Sequence, residues 1–135
     1  QFEEHRSLIN DPVLEKRALH VVSEEARVID AAGALKKGEL KKFGELMYAS
    51  HHSLKNDYEV SGKELDTIVE FCGGYEDCIG ARMTGAGFGG CAIALVKENK
   101  FIEFKERLAS HYHKIIGYEP EIFSSKAEAG VAQIN

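Results

Sequence analysis

Between Gly85 and Gly90 the chain places four glycines in six residues, with Thr84 ahead of them and Ala86 and Phe88 among them. Glycines this dense let a backbone take positive φ and approach a ligand with no Cβ in the way. Successive N–H groups can then converge on an anion such as a phosphate. A tight turn between two strands would use the same residues, and spacing alone leaves both readings open. Two familiar phosphate loops are excluded. No Gly-Lys-Ser/Thr ends the run, and no acidic residue follows about 20 positions on in a βαβ setting.

Other residues with chemical potential are fewer. Arg82 is the basic residue beside the loop; it could clamp a phosphate, but in an alternating strand the simpler reading is a side chain that points to solvent or pairs with an Asp or Glu. His51 falls on the apolar side of a helical stretch and reads as a hydrogen-bonded core residue rather than a proton carrier. Glu25 sits within an apolar stripe; an Arg or Lys partner on a neighbouring element, or a place facing a further domain, is expected rather than a catalytic role, since buried charges are normally paired. Cys72, Cys78 and Cys91 are an odd set with no CxxC spacing, so reduced thiols are expected and no disulfide framework. No zinc spacing occurs, and His111 and His113 stand two apart, off a common helical face.

The elements that must position these groups can be read from period and punctuation. Residues 1–10 show no periodicity and read as a connection. Asp11-Pro12 supplies a cap and a first-turn proline for a helix to about Lys37, stopped by Gly38. Its apolar stripe is Leu14, Ala18, Val21, Val22, Val28, Ile29, Ala32 and Leu35, expected to face inward. A second, antiparallel helix runs from Glu39 to about Lys55 with Leu40, Phe43, Met47, His51 and Leu54 on one side and His52 outward. Asn56 to Val60 reads as a loop, and Ser61 with Glu64 as a capping box for a helix to Cys72, ended by Gly73-Gly74. Ile79–Met83 and Cys91–Val96 read as an antiparallel strand pair around the glycine loop. The second, apolar throughout, is expected to be covered on both faces. A helix from Phe101 to about Ile116, with Phe101, Phe104, Leu108, Tyr112 and Ile115 or Ile116 turned inward and Gly117 as its stop, and a last strand at Pro120–Ser124 complete the order ααα-β-β-α-β, an α+β domain. The tail from Ala127 reads as frayed.

The bulk numbers agree with one domain over residues 1–135. Seventeen basic against 22 acidic residues give a net charge of −5, the wrong sign for a nucleic-acid binder. No apolar run approaches a membrane span, and Gln1-Phe2-Glu3-Glu4 does not resemble a signal peptide. A cytoplasmic location is expected.

Three stretches together carry a family resemblance. Ala81-Arg82-Met83-Thr84-Gly85-Ala86-Gly87-Phe88-Gly89-Gly90-Cys91 resembles the third, C-terminal motif of the GHMP small-molecule kinases, in the form typical of galactokinases. Ser50-His51-His52-Ser53-Leu54-Lys55-Asn56-Asp57-Tyr58-Glu59-Val60-Ser61 is similar to their His-x-Ser-Leu-x-x-Asp-Tyr-Glu-Val segment, and His20-Val21-Val22-Ser23-Glu24 is a third match. Where many members read Ser-Cys-Pro-Glu-Leu-Asp, this chain reads Ser61-Gly62-Lys63-Glu64-Leu65-Asp66, as in some bacterial forms. The N-terminal sugar motif, the Gly-Leu-Ser-Ser-Ser phosphate loop and the catalytic Asp of the family are not found here.

The resemblance therefore implies the C-terminal domain of a longer kinase, with a ferredoxin-like sheet, one strand of which lies upstream. It also implies ATP-dependent phosphorylation of the anomeric hydroxyl of galactose with Mg²⁺, and no catalytic residue or metal ligand in these 135 residues. The chain alone is expected to be inactive. Thr84, Gly85, Ala86, Gly87, Phe88, Gly89 and Gly90 would close the site beside the nucleotide phosphates. The glycines would give the shape, Thr84 a hydroxyl, and Phe88 a packing anchor. Arg82, Asp57, Tyr58 and Glu59 are secondary candidates, near substrate or at a domain interface. Partners would be galactose, ATP and an N-terminal domain, with no nucleic acid or membrane; a free sheet edge or an uncovered interface could pair two copies. A non-catalytic sugar and ATP sensor, another GHMP sugar kinase and a ferredoxin-like effector-binding module are the competing readings.

Overall fold

Asp11 opens the longest helix as a cap should. In the computed structural model, which describes residues 2–126, its Oδ1 accepts the amides of Val13 at 2.7 Å and Leu14 at 3.1 Å, while Pro12 takes the position where no amide is needed. This helix, α2, spans Pro12–Lys37 and ends at Gly38, whose φ of 72° lets its amide turn back onto Ala34 and Leu35. A short helix α1, Phe2–His5, and a 3-10 turn, Arg6–Leu8, precede it. Residues 1–10 are thus not the aperiodic connection expected; Arg6 pairs with Glu15 and ties the segment to α2.

Helix α3, Leu40–Ser53, runs back along α2. His20 meets Ser53 and Glu24 meets Ser50, so numbers rise along one helix as they fall along the other. The next turn, Leu54–Tyr58, has π-helical bonding where a loop was expected, and it ends at Glu59 with φ of 58°. Helix α4, Lys63–Gly73, follows. Its expected capping box does not form: no side chain caps it, and Ser61 turns to Asp66 at 2.7 Å instead.

Strands β1, Cys78–Thr84, and β2, Cys91–Val96, pair antiparallel with Ala81 opposite Ala94 and Met83 opposite Ala92, after a bulge between Cys78 and Gly80. Helix α5, Phe101–Ile116, closes the order and stops at Gly117 in the left-handed conformation. Its Phe104, Leu108 and Tyr112 are buried as the period predicts, while Phe101 and Ile116 at its two ends are half-buried and Ile115 is exposed. Residues 120–124 form no strand; Ile122 packs against the core from irregular chain. The expectation for the tail from Ala127 lies outside the described residues. The architecture is α+β, with a two-stranded sheet among the described residues.

The core has two parts. Val69, Cys72, Tyr75, Ala81, Phe104 and Leu108 join α4, β1 and α5, and Leu54, Leu65 and Met83 sit beneath the glycine loop. Helix α3 lies directly on β1, backbone to backbone. A Cβ on Gly44 would stand 1.8 Å from the Ile79 carbonyl oxygen, and one on Gly80 would stand 2.5 Å from Gly44 Cα.

Two faces differ from expectation. The apolar stripe of α2 points outward, with Val28 58 % and Ile29 67 % exposed. The side toward α3 carries His20, Glu24 and Ala34 instead. Periodicity marks a face for burial but not the partner that buries it. β2 likewise is not covered on both faces: Cys91 and Ile93 on one face and Ala94 on the other are exposed, and no further strand lies beside it among the described residues. An unbroken apolar run only says that no residue forbids covering.

Candidate functional site

The glycine loop is the turn between β1 and β2, closed by the pair Thr84 and Cys91. Gly85, Gly87 and Gly89 have φ of 76°, 84° and 92°, and Phe88 between them has 54°. Three of these need glycine; Phe88 accepts the left-handed region at a cost. The Phe88 amide donates to the Val60 carbonyl at 2.9 Å, and the Gly90 amide to Gly87 at 3.2 Å. The amides of Gly85, Ala86, Gly87 and Gly89 reach no acceptor among the described residues. Backbone of this handedness with unpaired N–H groups is an anion-binding shape. Phe88 is not the anchor expected, since its ring is 75 % exposed; its amide does the anchoring. Gly87 lies so close to Val60 that a Cβ there would sit 2.1 Å from the carbonyl oxygen.

Beneath the loop, His51 is buried. The Met83 amide donates to its Nδ1 at 3.2 Å, so Nδ1 is unprotonated and Nε2 carries the hydrogen, 3.2 Å from Asp66 Oδ1. Burial pushes this imidazole below its ordinary pKa, against the pull of Asp66. Burial would also raise Asp66, but hydrogen bonds from Ser61 and Lys55 outweigh it and hold the carboxyl below its usual range. His51 is therefore the satisfied core residue its position predicted.

A second network links β1 to α2 and α3. Arg82 reaches Glu24 at 3.1 Å and donates its Nε to the Met83 carbonyl at 3.0 Å. Glu24 also accepts from Ser50 at 2.6 Å and pairs with Arg27. Burial acts to raise Glu24, and Ser50 with the two guanidiniums holds it below the ordinary range nonetheless. Arg82 is thus paired in this chain rather than free. Glu25, the carboxylate singled out by pattern, is exposed, while its neighbour Glu24 makes the half-buried ion pairs.

Asp57, Tyr58 and Glu59 are fastened to α2. Asp57 accepts from Ser53 at 2.7 Å, and Ser53 in turn contacts His20 at 3.0 Å. Tyr58 stacks on His20 with ring centroids 4.7 Å apart. Arg17 donates to the Asp57 carbonyl at 2.5 Å and pairs with Glu59 at 2.6 Å. The fold thereby brings the His20–Glu24, Ser50–Ser61 and glycine-loop stretches into one region. Asp66 and Glu24 are its organising carboxylates, and spacing did not single them out; the signal available was that each lay within a motif already noted.

No cluster of His, Cys, Asp or Glu able to hold a metal occurs among the described residues. The carboxylates nearest the loop are committed to Arg, Lys, Ser or His partners. All three cysteines are free, Cys72 buried, Cys78 half-buried beside the Tyr48 hydroxyl at 3.7 Å, and Cys91 exposed rather than packed. No helix among the described residues is long and apolar enough to cross a membrane.

Comparison with known proteins identifies the family and the fold. Residues 31–114 match the family description "GHMP kinases C terminal". The chain is similar to the galactokinase of Halalkalibacterium halodurans, 47 % identical over 130 residues, which covers 96 % of this chain and 33 % of that protein. Similarity to the Clostridium tetani galactokinase is 49 % over 134 residues, covering 99 % of this chain and 34 % of the relative. The solved structure of Lactococcus lactis galactokinase complexed with galactose superposes with a TM-score of 0.85 at 49 % identity, covering 87 % of this chain and 30 % of that one. The chain spans about a third of the length of the curated relatives it matches.

Proposed function

The chain belongs to the GHMP kinases as their C-terminal domain, and on that premise we propose that it is the C-terminal part of a galactokinase. That enzyme would transfer a phosphoryl group from ATP to the anomeric hydroxyl of galactose. The relatives' names and the galactose in the similar structure support the substrate. The observation that carries the chemistry is the set of unpaired amides at Gly85, Ala86, Gly87 and Gly89 on a backbone of positive φ.

Phosphoryl transfer asks a protein chiefly for positioning and for charge stabilisation. Thr84 to Gly90 would supply both at the phosphate side of the site: the amides donate to phosphate oxygens, the glycines let the chain come close, and Thr84 offers a hydroxyl. Donors fixed in advance cost no reorganisation when charge develops. Arg82, held by Glu24, positions the end of β1 rather than clamping substrate. Asp57, Tyr58 and Glu59 brace α2 against α3. The proposal assigns no acid–base group and no Mg²⁺ ligand to these residues; Mg²⁺ would come with the nucleotide and be held elsewhere.

The partner proposed for the outward stripe of α2 is the remainder of a polypeptide of the relatives' length. Burying Val21, Val28, Ile29 and their neighbours is worth about 1.5–3 kcal/mol for each side chain fully covered. The free cysteines suit a reducing cytoplasm. The test is galactose-dependent ADP release by the full-length protein and by its Gly87→Ala variant, whose Cβ cannot fit beside Val60 without moving the loop. Turnover that falls in the variant while galactose still binds supports the reading. Full-length protein without galactose-dependent turnover, or a variant as active as its parent, refutes it.

A further inference from the structure

The stretch Ser61-Gly62-Lys63-Glu64-Leu65-Asp66 has no task in the function proposed above, yet its last residue sits under the loop. Asp66 Oδ1 has two partners, and they lead to different parts of the glycine loop. On one side it meets His51 Nε2 at 3.2 Å, and His51 Nδ1 takes the Met83 amide at 3.2 Å, one residue before Thr84. On the other, Ser61 Oγ donates to the same oxygen at 2.7 Å. The residue before Ser61 is Val60, whose carbonyl holds the Phe88 amide at 2.9 Å. Lys55 occupies Oδ2 at 2.9 Å, so the carboxylate cannot rotate without losing a charged partner. Leu65, next in the chain, is fully buried and fixes the backbone that carries Asp66.

A carboxylate is the group this arrangement needs. It must accept from an imidazole N–H, a hydroxyl and an ammonium at once, and donate to none. An amide has one oxygen and would turn an NH₂ toward Lys55 or toward His51 and Ser61. The glycines on their own specify no single conformation. A loop with unpaired amides held in one shape therefore requires fixing from outside, at its entry and at its apex.

We propose that Asp66 is a positioning residue that holds the glycine loop at two points, its entry through His51 and Met83 and its apex through Ser61, Val60 and Phe88. It touches no substrate; it keeps the Gly85, Ala86, Gly87 and Gly89 amides aimed. The proposal rests on the reading of that loop as the phosphate-side closure.

The test uses the full-length protein and four variants: Asp66→Asn, Ser61→Ala, His51→Asn and His51→Gln. Amide exchange is followed at Met83, at Phe88 and along α5, which lies outside the clamp, together with kcat and KM for galactose. Asp66→Asn should speed exchange at both loop amides by about tenfold or more with α5 unchanged. It should lower kcat by roughly 10- to 100-fold, the cost of a misplaced donor set, and leave KM for galactose where it was. His51→Asn keeps an acceptor near the Nδ1 position and should retain more turnover than His51→Gln, a distinction a merely structural histidine would not make. If Asp66→Asn does not fold, Ser61→Ala removes one hydroxyl and should loosen Phe88 while sparing Met83. Unchanged exchange at Phe88 in folded Asp66→Asn or Ser61→Ala overturns the clamp. Faster exchange with unchanged kcat instead overturns the loop's part in turnover, and with it the positioning role of Asp66.

Discussion

Replacing Gly44 by alanine should destabilise the protein, although helix propensity alone says the opposite. Alanine is about 1 kcal/mol better than glycine inside a helix, so an exposed site would gain. At Gly44 the added Cβ would stand 1.8 Å from the Ile79 carbonyl oxygen and 2.6 Å from its carbon. A carbon and an oxygen rest no closer than about 3.3 Å, so α3 would have to retreat from β1 by roughly 1.5 Å. Both colliding groups are backbone, and no rotamer change relieves them. Overpacking of this kind costs about 1–3 kcal/mol and at times more, and Gly80 faces the same contact from β1 at 2.5 Å. The clash outweighs the propensity gain, and a fall in Tm of roughly 5 °C is expected. Gly33, in α2, is the control: nothing lies within 4 Å of a Cβ there. Gly33→Ala should therefore raise Tm by a few degrees, following the propensity gain of about 0.5–1 kcal/mol. Thermal unfolding followed by far-ultraviolet circular dichroism reads both. If Gly44→Ala stabilised as Gly33→Ala does, the backbone contact between α3 and β1 would be wrong.

The buried histidines give a pH dependence with a definite sign. His20 and His51 are both lowered from the ordinary value of 6.5, burial being the main cause. The unfolded chain takes up these protons near 6.5 and the folded chain only at lower pH, so stability is full above that value and declines as pH drops below it. The urea midpoint should fall between pH 7.5 and 5.5, and less so in His51→Gln; a midpoint that rose over this range would contradict the burial. Val28→Asp on the outward face of α2 should change the stability of this chain alone by no more than about 0.5 kcal/mol, yet lower Tm clearly in the full-length protein. Equal effects in the two would remove the stripe as a docking face. Phe88→Gly relieves a residue at φ of 54° whose ring is 75 % exposed, so chemical denaturation should show a gain of up to about 1 kcal/mol. A marked loss would restore Phe88 as an anchor.

The punctuation of the helices was legible, because caps act locally: Asp11-Pro12, Gly38 and Gly117 do what their chemistry requires wherever they stand. The orientation of α2 was not, because its Val21, Val28 and Ile29 announce burial against something, while the contact with α3 is polar and uses His20 and Glu24. The π-type turn at Leu54–Tyr58 differs from a helix end by the span of its hydrogen bonds, which leaves no pattern in residue types. Gly44, mid-helix and costly there, was the unused sign of a close approach. In the site, the glycine loop, Arg82 and His51 were visible from residue type and place. Asp66 was not, because its role comes from partners 15 and five residues back, His51 and Ser61, that only the fold assembles.

The most direct measurement is amide exchange across residues 80–90 of the full-length protein, with and without a non-hydrolysable ATP analogue and galactose. The account predicts that Gly85, Ala86, Gly87 and Gly89, without acceptors here, slow by about tenfold or more when the phosphates arrive, while Phe88, already bonded to Val60, changes little. Exchange at those four amides that stayed the same in protein shown to bind both ligands would contradict it.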